Sequence, residues 1–546
     1  MLSRIKKIIS KDVGGMHEAA YLIGSFAFIS QLLGFVRDRL LASKFGASIA
    51  LDTYYASFRI PDLLFTIIST LVSLSVLVPL IIRLENKTQK ERDVFANTVF
   101  TIVSIVSIFF VLVALIVSKP LLNIMFPVIM SGQYSESLLI MTRIMLLQPI
   151  ILALSGLYGS YIQVYKKFFI YAISPIVYNI GIISGVVFLY PLFGMPGLVL
   201  GVIIGALFHL AIQIPTILEK GPRLKFTLYP NLDVVKEILS LSVPRTLALA
   251  GNQISQIVLI ILAGTMVSGS ISIFSLAFNL QSVPLAIIGM SYSLAVFPAL
   301  SRFFNSGDMN SFISHISKAT RHIIFWSVPI MTMFIILREQ IVRTVLGSGS
   351  FDWDDTKLVA ACLAIFSLSV VAQSLSLLFV RVYYSAGETK RPLIFVIISV
   401  AVTIISSFVL INLFKYNQEF RNILESTFKV NDVLGSLVLI LPIAFSLGQI
   451  INTALLWIYF NSKYNFTSIF IWKTLLHSVL ASVVAGTITF FALNIFSNVF
   501  DINTTLGIFL QGLFAGLSGL IFGYIFLVLI KNEEIAVIGG LRGSTS

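Results

Sequence analysis

The sequence predicts an all-α polytopic membrane protein of about fourteen transmembrane helices, set out as two pseudo-repeated six-helix lobes followed by two further C-terminal helices. Three observations lead there. Of the 546 residues, 57% are hydrophobic and 11% charged, with a mean hydropathy of +0.97, whereas soluble domains carry roughly 25% charged residues. Apolar runs of about 20 residues, enough to cross a hydrocarbon core of roughly 30 Å, recur along the whole chain with short breaks between them. Stretches of the second half also echo stretches of the first.

The first element, residues 1–17, is basic and lacks the apolar core and small-residue cleavage site of a signal peptide, so it reads as a retained cytoplasmic segment. The apolar runs of the first lobe (18–220) then cover 18–36, 52–82, 95–118, 136–163, 168–191 and 195–218. A cytoplasmic linker, 221–236, follows. The second lobe (237–461) holds the runs 237–265, 270–300, 320–337, 356–384, 392–414 and 435–461, and the final pair, within 462–530, covers 469–496 and 504–530. The tail is 531–546. With the N-terminus inside, the even-numbered connections carry Arg83, Lys87, Lys90, Arg92, Lys166, Lys167, Lys220, Arg223, Lys225, Arg302, Lys318, Arg321, Lys390 and Arg391. Positive charge on the cytoplasmic side follows, and an even helix count returns the C-terminus there. The mixed-sign segment 415–432 fits this pattern least.

The internal echo pairs YYASFRIPDLLFTI, leading to a turn at Pro79, with FSLAFNLQSVPLAII, leading to Pro298. YIQVYKKFFIYAISPI pairs likewise with VRVYYSAGETKRPLIF. In transporters such repeats mark two bundles rocking about a shared site near the midplane.

The net charge of +13 is dispersed through interhelical loops, which excludes a nucleic-acid-binding patch. Cys362 is the only cysteine and lies in an apolar run, so neither a disulfide framework nor a thiolate metal cluster is available. No Walker A loop, HExxH or GxSxG motif occurs; LGSGSF at 346–351 lacks the lysine of a phosphate loop. The chain is therefore expected to be no enzyme and to need no cofactor, drawing instead on membrane potential or a coupling ion, Na+ or H+. Moving one charge through 100 mV is worth about 2.3 kcal/mol, and a negative interior favours outward movement of an anion.

Ionisable residues within apolar helices are costly and usually face a bundle interior or an aqueous cavity. Asp52, Tyr55, Arg59 and Asp62 fall within about 80° on one helical face; Arg245, Asn252 and Gln256 within about 40°; Ser275, Asn279 and Ser282 within about 60°. Arg37 and Asp38 close the first run beside Arg39. Arginines outnumber carboxylates at midmembrane, giving a net positive cavity, and guanidinium binds phosphate through a planar fork. An anionic, phosphate-bearing substrate is the expectation. The plainer reading pairs Arg37 with Asp38, and Arg59 with Asp62 or Asp52, as ion pairs that orient helices. It also makes Asn252, Gln256, Asn279 and Gln281 interhelical hydrogen-bond glue, His209 and His477 packing residues, and Arg381 a snorkelling side chain.

Residues 28–64, FISQLLGFVRDRLLASKFGASIALDTYYASFRIPDLL, resemble the N-terminal signature of the MurJ (MviN) family of lipid II flippases. PRTLALAGNQISQ at 244–256, FNLQSVPLAIIG at 278–289 and YYSAGETKRP at 383–392 add to the resemblance. It implies the MATE-like exporter fold, two lobes around a cationic cavity, and a final helix pair grooved for a polyprenyl tail. It also implies outward flipping of an undecaprenyl-diphosphate disaccharide pentapeptide across the bacterial cytoplasmic (inner) membrane for peptidoglycan synthesis, with cell-wall synthesis machinery as a further contact. Arg37 matches a cavity arginine of the family, Asp38 follows it as in the motif, and Asp52 matches an acidic residue of the second helix. The family has arginine where this chain has Gln31, Phe65 and Asn279, and a glutamate near Thr70; Arg59 and Arg245 offer replacement charge. The alternatives are an exporter of another polyprenyl-diphosphate oligosaccharide of O-antigen, teichoic or capsule type, and a cation-coupled drug antiporter, which would prefer a cavity lined by carboxylates.

Overall fold

The computed structural model of the chain describes residues 16–69, 74–84, 87–222, 224–464, 466, 469–532 and 534–535. Every regular element among them is helical, because in hydrocarbon a backbone not closed into a barrel must satisfy its N–H and C=O groups within each segment. Ten helical runs of the described residues are long and apolar enough to cross a membrane: Gln89–Met125, Ser135–Val164, Phe168–Phe193, Met195–Glu219, Ser270–Asn305, Met309–Ile336, Lys390–Tyr416, Ser436–Tyr464, Phe470–Phe496 and Thr505–Leu529. Trp353–Ser367 and Val370–Ser385, bent by 45° at their junction, make an eleventh if they form one span. The three remaining predicted runs fall on Met16–Phe45, on a broken series from Ile49 to Leu84, and on Leu232–Ala263.

The broken series departs from the single 52–82 helix expected from hydropathy. It comprises Ile49–Ser57, Arg59–Ile68 and Leu74–Leu84, with Phe58 between the first two. Pro61 explains that break: it has no N–H to give the Ser57 carbonyl, and the ladder resumes with Asp62 N–H donating to the Phe58 carbonyl at 2.8 Å. Pro79 and Pro298 do not make the turn expected at the first of them. Both lie inside helices, Leu74–Leu84 and Ser291–Asn305, as membrane helices tolerate when neighbours re-satisfy the freed backbone groups. Two spans instead carry π-helical turns, at Gly185–Leu189 and Leu285–Met290. Hydropathy also missed two short amphipathic helices, Arg338–Leu346 and Gln418–Phe428, the second within the mixed-sign 415–432 segment.

The chain separates into two compact units, Met1–Gln253 and Ile254–Ser546, the division falling inside the Leu232–Ala263 helix. In the first unit, Phe168–Ser184 lies against Met195–Ala211. Glycines make that approach: a Cβ on Gly201 would stand 2.3 Å from Gly185 Cα, and one on Gly181 2.3 Å from Gly205 Cα, the small-residue contact that brings membrane helices together. In the second unit a buried aromatic cluster of Phe379, Tyr383, Phe460 and Phe466 joins Val370–Ser385 to Ile440–Tyr464, and the Tyr383 hydroxyl donates to the Leu456 carbonyl at 2.8 Å. Ile469–Phe496 packs between Met309–Ile336 and Thr505–Leu529.

Candidate functional site

Arg37 and Asp38 are consecutive on the Met16–Phe45 helix, so their side chains leave the axis about 100° apart. The arginine folds back across that angle: Nε and Nη2 both donate to Asp38 Oδ1, at 2.9 and 2.8 Å. The carboxylate is almost fully buried and the guanidinium about a quarter exposed, at 4% and 24%. Asp52 is buried in the first turn of Ile49–Ser57, where unsatisfied N–H groups favour negative charge. Arg59 opens the next helix. Its Nε donates to the Tyr55 carbonyl at 3.0 Å, and its Nη1 lies 3.9 Å from Asp62 Oδ2.

Tyr55 lies near Arg37, Asp38 and Arg59, and its buried hydroxyl has no hydrogen-bond partner among the described residues. Tyr54 stacks edge-on against it at 5.4 Å. Tyr178, also in range of Arg37 and Asp62, accepts a hydrogen bond from Gln148 Nε2 at 2.9 Å. Its ring meets His209 edge-on at 6.3 Å. His209 Nδ1 lies 2.7 Å from Ser155 Oγ, which also accepts from Gln213 Nε2 at 2.8 Å. His209 is thus a half-buried member of a polar hydrogen-bonded network.

The first unit therefore brings Arg37, Asp38, Arg59, Asp62, Tyr54, Tyr55 and Tyr178 into one polar region. Each of its two arginines has an acidic partner, so these pairs do not supply the excess positive charge expected from the sequence. Tyr178, Gln148 and the His209 network were not legible in advance, since they lie on other helices and reach this region only through packing; the run YNI around Tyr178 carries no charge to draw attention. The side chains of Arg245 and Asn252 lie outside the described residues, as do Thr70 and Arg223.

In the second unit, Gln256 and Asn279 are half-buried, and the Asn279 carbonyl accepts from Ser282 Oγ at 2.7 Å. Gln281 accepts from Gln373 Nε2 at 3.0 Å, and Gln373 also donates to Ser369 Oγ: the interhelical glue considered for Gln281. Arg381 does not simply reach for the interface. Its Nη1 donates to Ser293 Oγ at 2.8 Å, and it touches Met290 at the end of the 285–290 π-turn. An apolar groove of about 780 Å³ runs among Ile324, Leu375, Trp457, Ile471, Trp472 and their neighbours. In the same unit, Glu534 is buried against Arg321 at 2.5 Å, His322 at 3.5 Å and Thr474 at 3.4 Å, while Asn532 reaches His477 Nδ1 at 3.1 Å.

Comparison with known proteins adds a family to this geometry. The family model described as "Lipid II flippase MurJ" matches residues 41–418. The "Probable lipid II flippase MurJ" of Borreliella burgdorferi is 27% identical over 385 residues, covering 69% of this chain and 75% of that protein. The "Lipid II flippase MurJ" of Burkholderia cenocepacia is 24% identical over 409 residues, covering 73% and 79%. Among solved structures, a lipid II flippase MurJ in an inward closed conformation superposes with a TM-score of 0.74 at 22% identity, over 94% of this chain and all of that one. An inward-facing multidrug resistance MATE family transporter superposes with 0.64 at 13% identity, over 82% and 98%. Both structures share the fold.

Proposed function

The chain belongs to the lipid II flippase MurJ family, and from that premise we propose that it moves lipid II, an undecaprenyl-diphosphate glycopeptide, from the cytoplasmic to the outer leaflet of the bacterial cytoplasmic membrane by alternating access. The observation that carries this reading is the family match across 41–418. Peptidoglycan synthesis is the process served, and cell-wall synthesis enzymes would receive the product.

In this reading fourteen helices cross the membrane with both termini cytoplasmic. Lobes 18–220 and 237–461 enclose the head group, and 462–530 guides the tail. Arg37, Asp38, Asp52, Arg59, Arg245, Asn252, Gln256 and Asn279 line the cavity. The paired state of Arg37 and Arg59 suits a carrier that must also cross empty. A diphosphate oxygen that joins Asp38 on Arg37, whose guanidinium has five N–H donors and meets Asp38 through Nε and Nη2, leaves neither the guanidinium nor the buried carboxylate stranded. The tyrosines nearby offer neutral hydroxyl donors to the same oxygens. The 780 Å³ groove, walled by the 469–496 helix, offers room for polyprenyl units. Membrane potential or a coupling Na+ or H+ supplies the direction.

The test is depletion of the protein in its native cell or a surrogate, followed by identification of the polyprenyl-linked precursor that accumulates on the cytoplasmic leaflet. Lipid II is expected. Accumulation of a different polyprenyl-diphosphate glycan would transfer the assignment to that substrate, and an unchanged leaflet distribution would end the transport reading.

A further inference from the structure

The linker that the sequence places in the cytoplasm, 221–236, has an unusual surface. Leu228 and Tyr229 are 92% and 90% exposed, and Phe226 and Leu232 are largely exposed as well. Yet its backbone is tied down. The N–H groups of Lys225, Thr227 and Asn231 donate to Asn97 Oδ1, Thr101 Oγ1 and Thr98 Oγ1, at 2.7, 3.0 and 3.1 Å. The Tyr229 N–H donates to Thr227 Oγ1 at 3.3 Å, and the Phe226 ring meets Phe100 edge-on at 5.4 Å. Every second N–H from 225 to 231 is thereby satisfied without water.

The depth of these contacts follows from the helix that makes them. Within Gln89–Met125, no charged residue occurs between Asp93 and Lys119, a stretch of about 38 Å at 1.5 Å per residue. Centring a hydrocarbon core of roughly 30 Å on it puts the boundary near residue 96, so Asn97, Thr98 and Thr101 lie just inside. Hydroxyl and amide groups at that depth need partners, and the linker N–H groups provide them. The face bearing Asn97 and Thr101 continues as Ile105, Ile108, Leu112 and Ile116, all within about 100° of arc and all exposed as lipid-facing residues are. The linker thus occupies the last stretch of a lipid-facing stripe and presents its own apolar side chains where the acyl chains would otherwise begin.

We infer that residues 225–232 are a membrane-interface anchor, with Phe226, Leu228, Tyr229 and Leu232 inserted at the boundary between head groups and acyl chains. The partner is the bilayer itself. Interfacial segments hold apolar side chains some 5–10 Å into that boundary, and Tyr229 suits the level where one end of a side chain is apolar and the other wet. The anchor requires that 89–125 spans the membrane; it does not depend on which substrate is carried.

Nitroxide labels on the full-length protein in lipid nanodiscs test it. Cys362 is fully buried and is replaced by alanine, and single cysteines are placed at Leu228 and Tyr229. Ile105, exposed at the centre of the charge-free stretch, serves as the lipid-facing reference and Ser306, an exposed loop residue, as the aqueous one. The ratio of oxygen to nickel-chelate collisions at 228 and 229 is expected about ten-fold above that at Ser306 and towards that at Ile105, as for side chains held 5–10 Å into the interface. Nickel access equal to that at Ser306 would overturn the anchor in favour of a solvated linker. Shielding from both reagents, with an immobilised label, would overturn it in favour of a protein contact. Thr101→Val, which removes the acceptor for the Thr227 N–H, should lower the ratio at 228; no change would break the link between those hydrogen bonds and the depth.

Discussion

Guanidinium groups inside an apolar helix bundle are tolerated only with partners, and in the first unit both described candidates have one: Asp38 for Arg37 and Asp62 for Arg59. If these residues serve transport, removing the cation should cost function beyond the stability lost by stranding its acidic partner. Arg37→Ala and Arg245→Ala are each expected to abolish complementation of a flippase-depleted strain while membrane levels persist. Lysine at either position should restore part of the activity, since an ammonium supplies charge without the planar fork; immunoblotting of membranes beside growth curves checks both. Full growth with both alanine variants would remove these arginines from the site. Glu534 is a contrasting case. It is buried beside Arg321 and His322 and has no transport role in this reading, so Glu534→Ala should destabilise the folded protein by about 3–5 kcal/mol, the cost of stranding a buried charge. A lowered thermal midpoint in detergent, smaller for Glu534→Gln, is the expected result.

Secondary-structure elements show where packing limits substitution. On Thr505–Leu529, a Cβ at Gly519 would stand 1.9 Å from Thr489 Oγ1 and 2.6 Å from the Ala485 carbonyl. Gly519→Val is therefore expected to push the final helix pair apart and cost at least the 1–3 kcal/mol typical of overpacking, read as a fall in thermal midpoint that Thr489→Ala reverses only in part. The start of Met309–Ile336 is controlled by charge instead. Asp308 accepts from the Ser311 N–H at 3.0 Å, and hydrogen bonding from Ser311, side chain and then backbone, holds its carboxyl below the usual carboxylate range. A depressed folded-state pKa stabilises the protein above the unfolded value, near 4, and that contribution fades as pH falls through the depressed value. The Asp308→Asn variant should lose less stability than the parent protein over that acidic window in a pH series of thermal melts, since asparagine caps a helix without titrating.

At the scale of the whole molecule, the proposed substrate's charge bears on the driving force. A diphosphate head leaving a negative interior gains about 2.3 kcal/mol per charge per 100 mV. If potential drives transport, its collapse by an ionophore should slow the appearance of precursor on the outer leaflet at constant protein level, whereas collapse of a Na+ gradient alone should not. The opposite result would assign the coupling to the ion.

Hydropathy located the spans because a hydrocarbon slab imposes a length and a polarity that any linear stretch must meet, and it marked Arg37, Asp38, Asp52 and Arg59 because charge is rare there. The 28–64 signature was enough to suggest the family. Periodicity could not show the Phe58 break, which turns on one missing N–H at Pro61. It could not show that Arg37 bends back onto its own neighbour. Tyr178, the His209 network and the Glu534 cluster were out of reach for another reason: each joins residues far apart in the chain, and only the packing of helices brings them within hydrogen-bond distance. The linker belongs in the same class. Its basic residues place it on the cytoplasmic side, and only its hydrogen bonds to Asn97, Thr98 and Thr101 bear on the depth proposed for it. Composition and pattern determined what the chain can be dissolved in; which polar groups meet inside it was decided by tertiary structure, because a hydrogen bond depends on distance in space and not on separation along the chain.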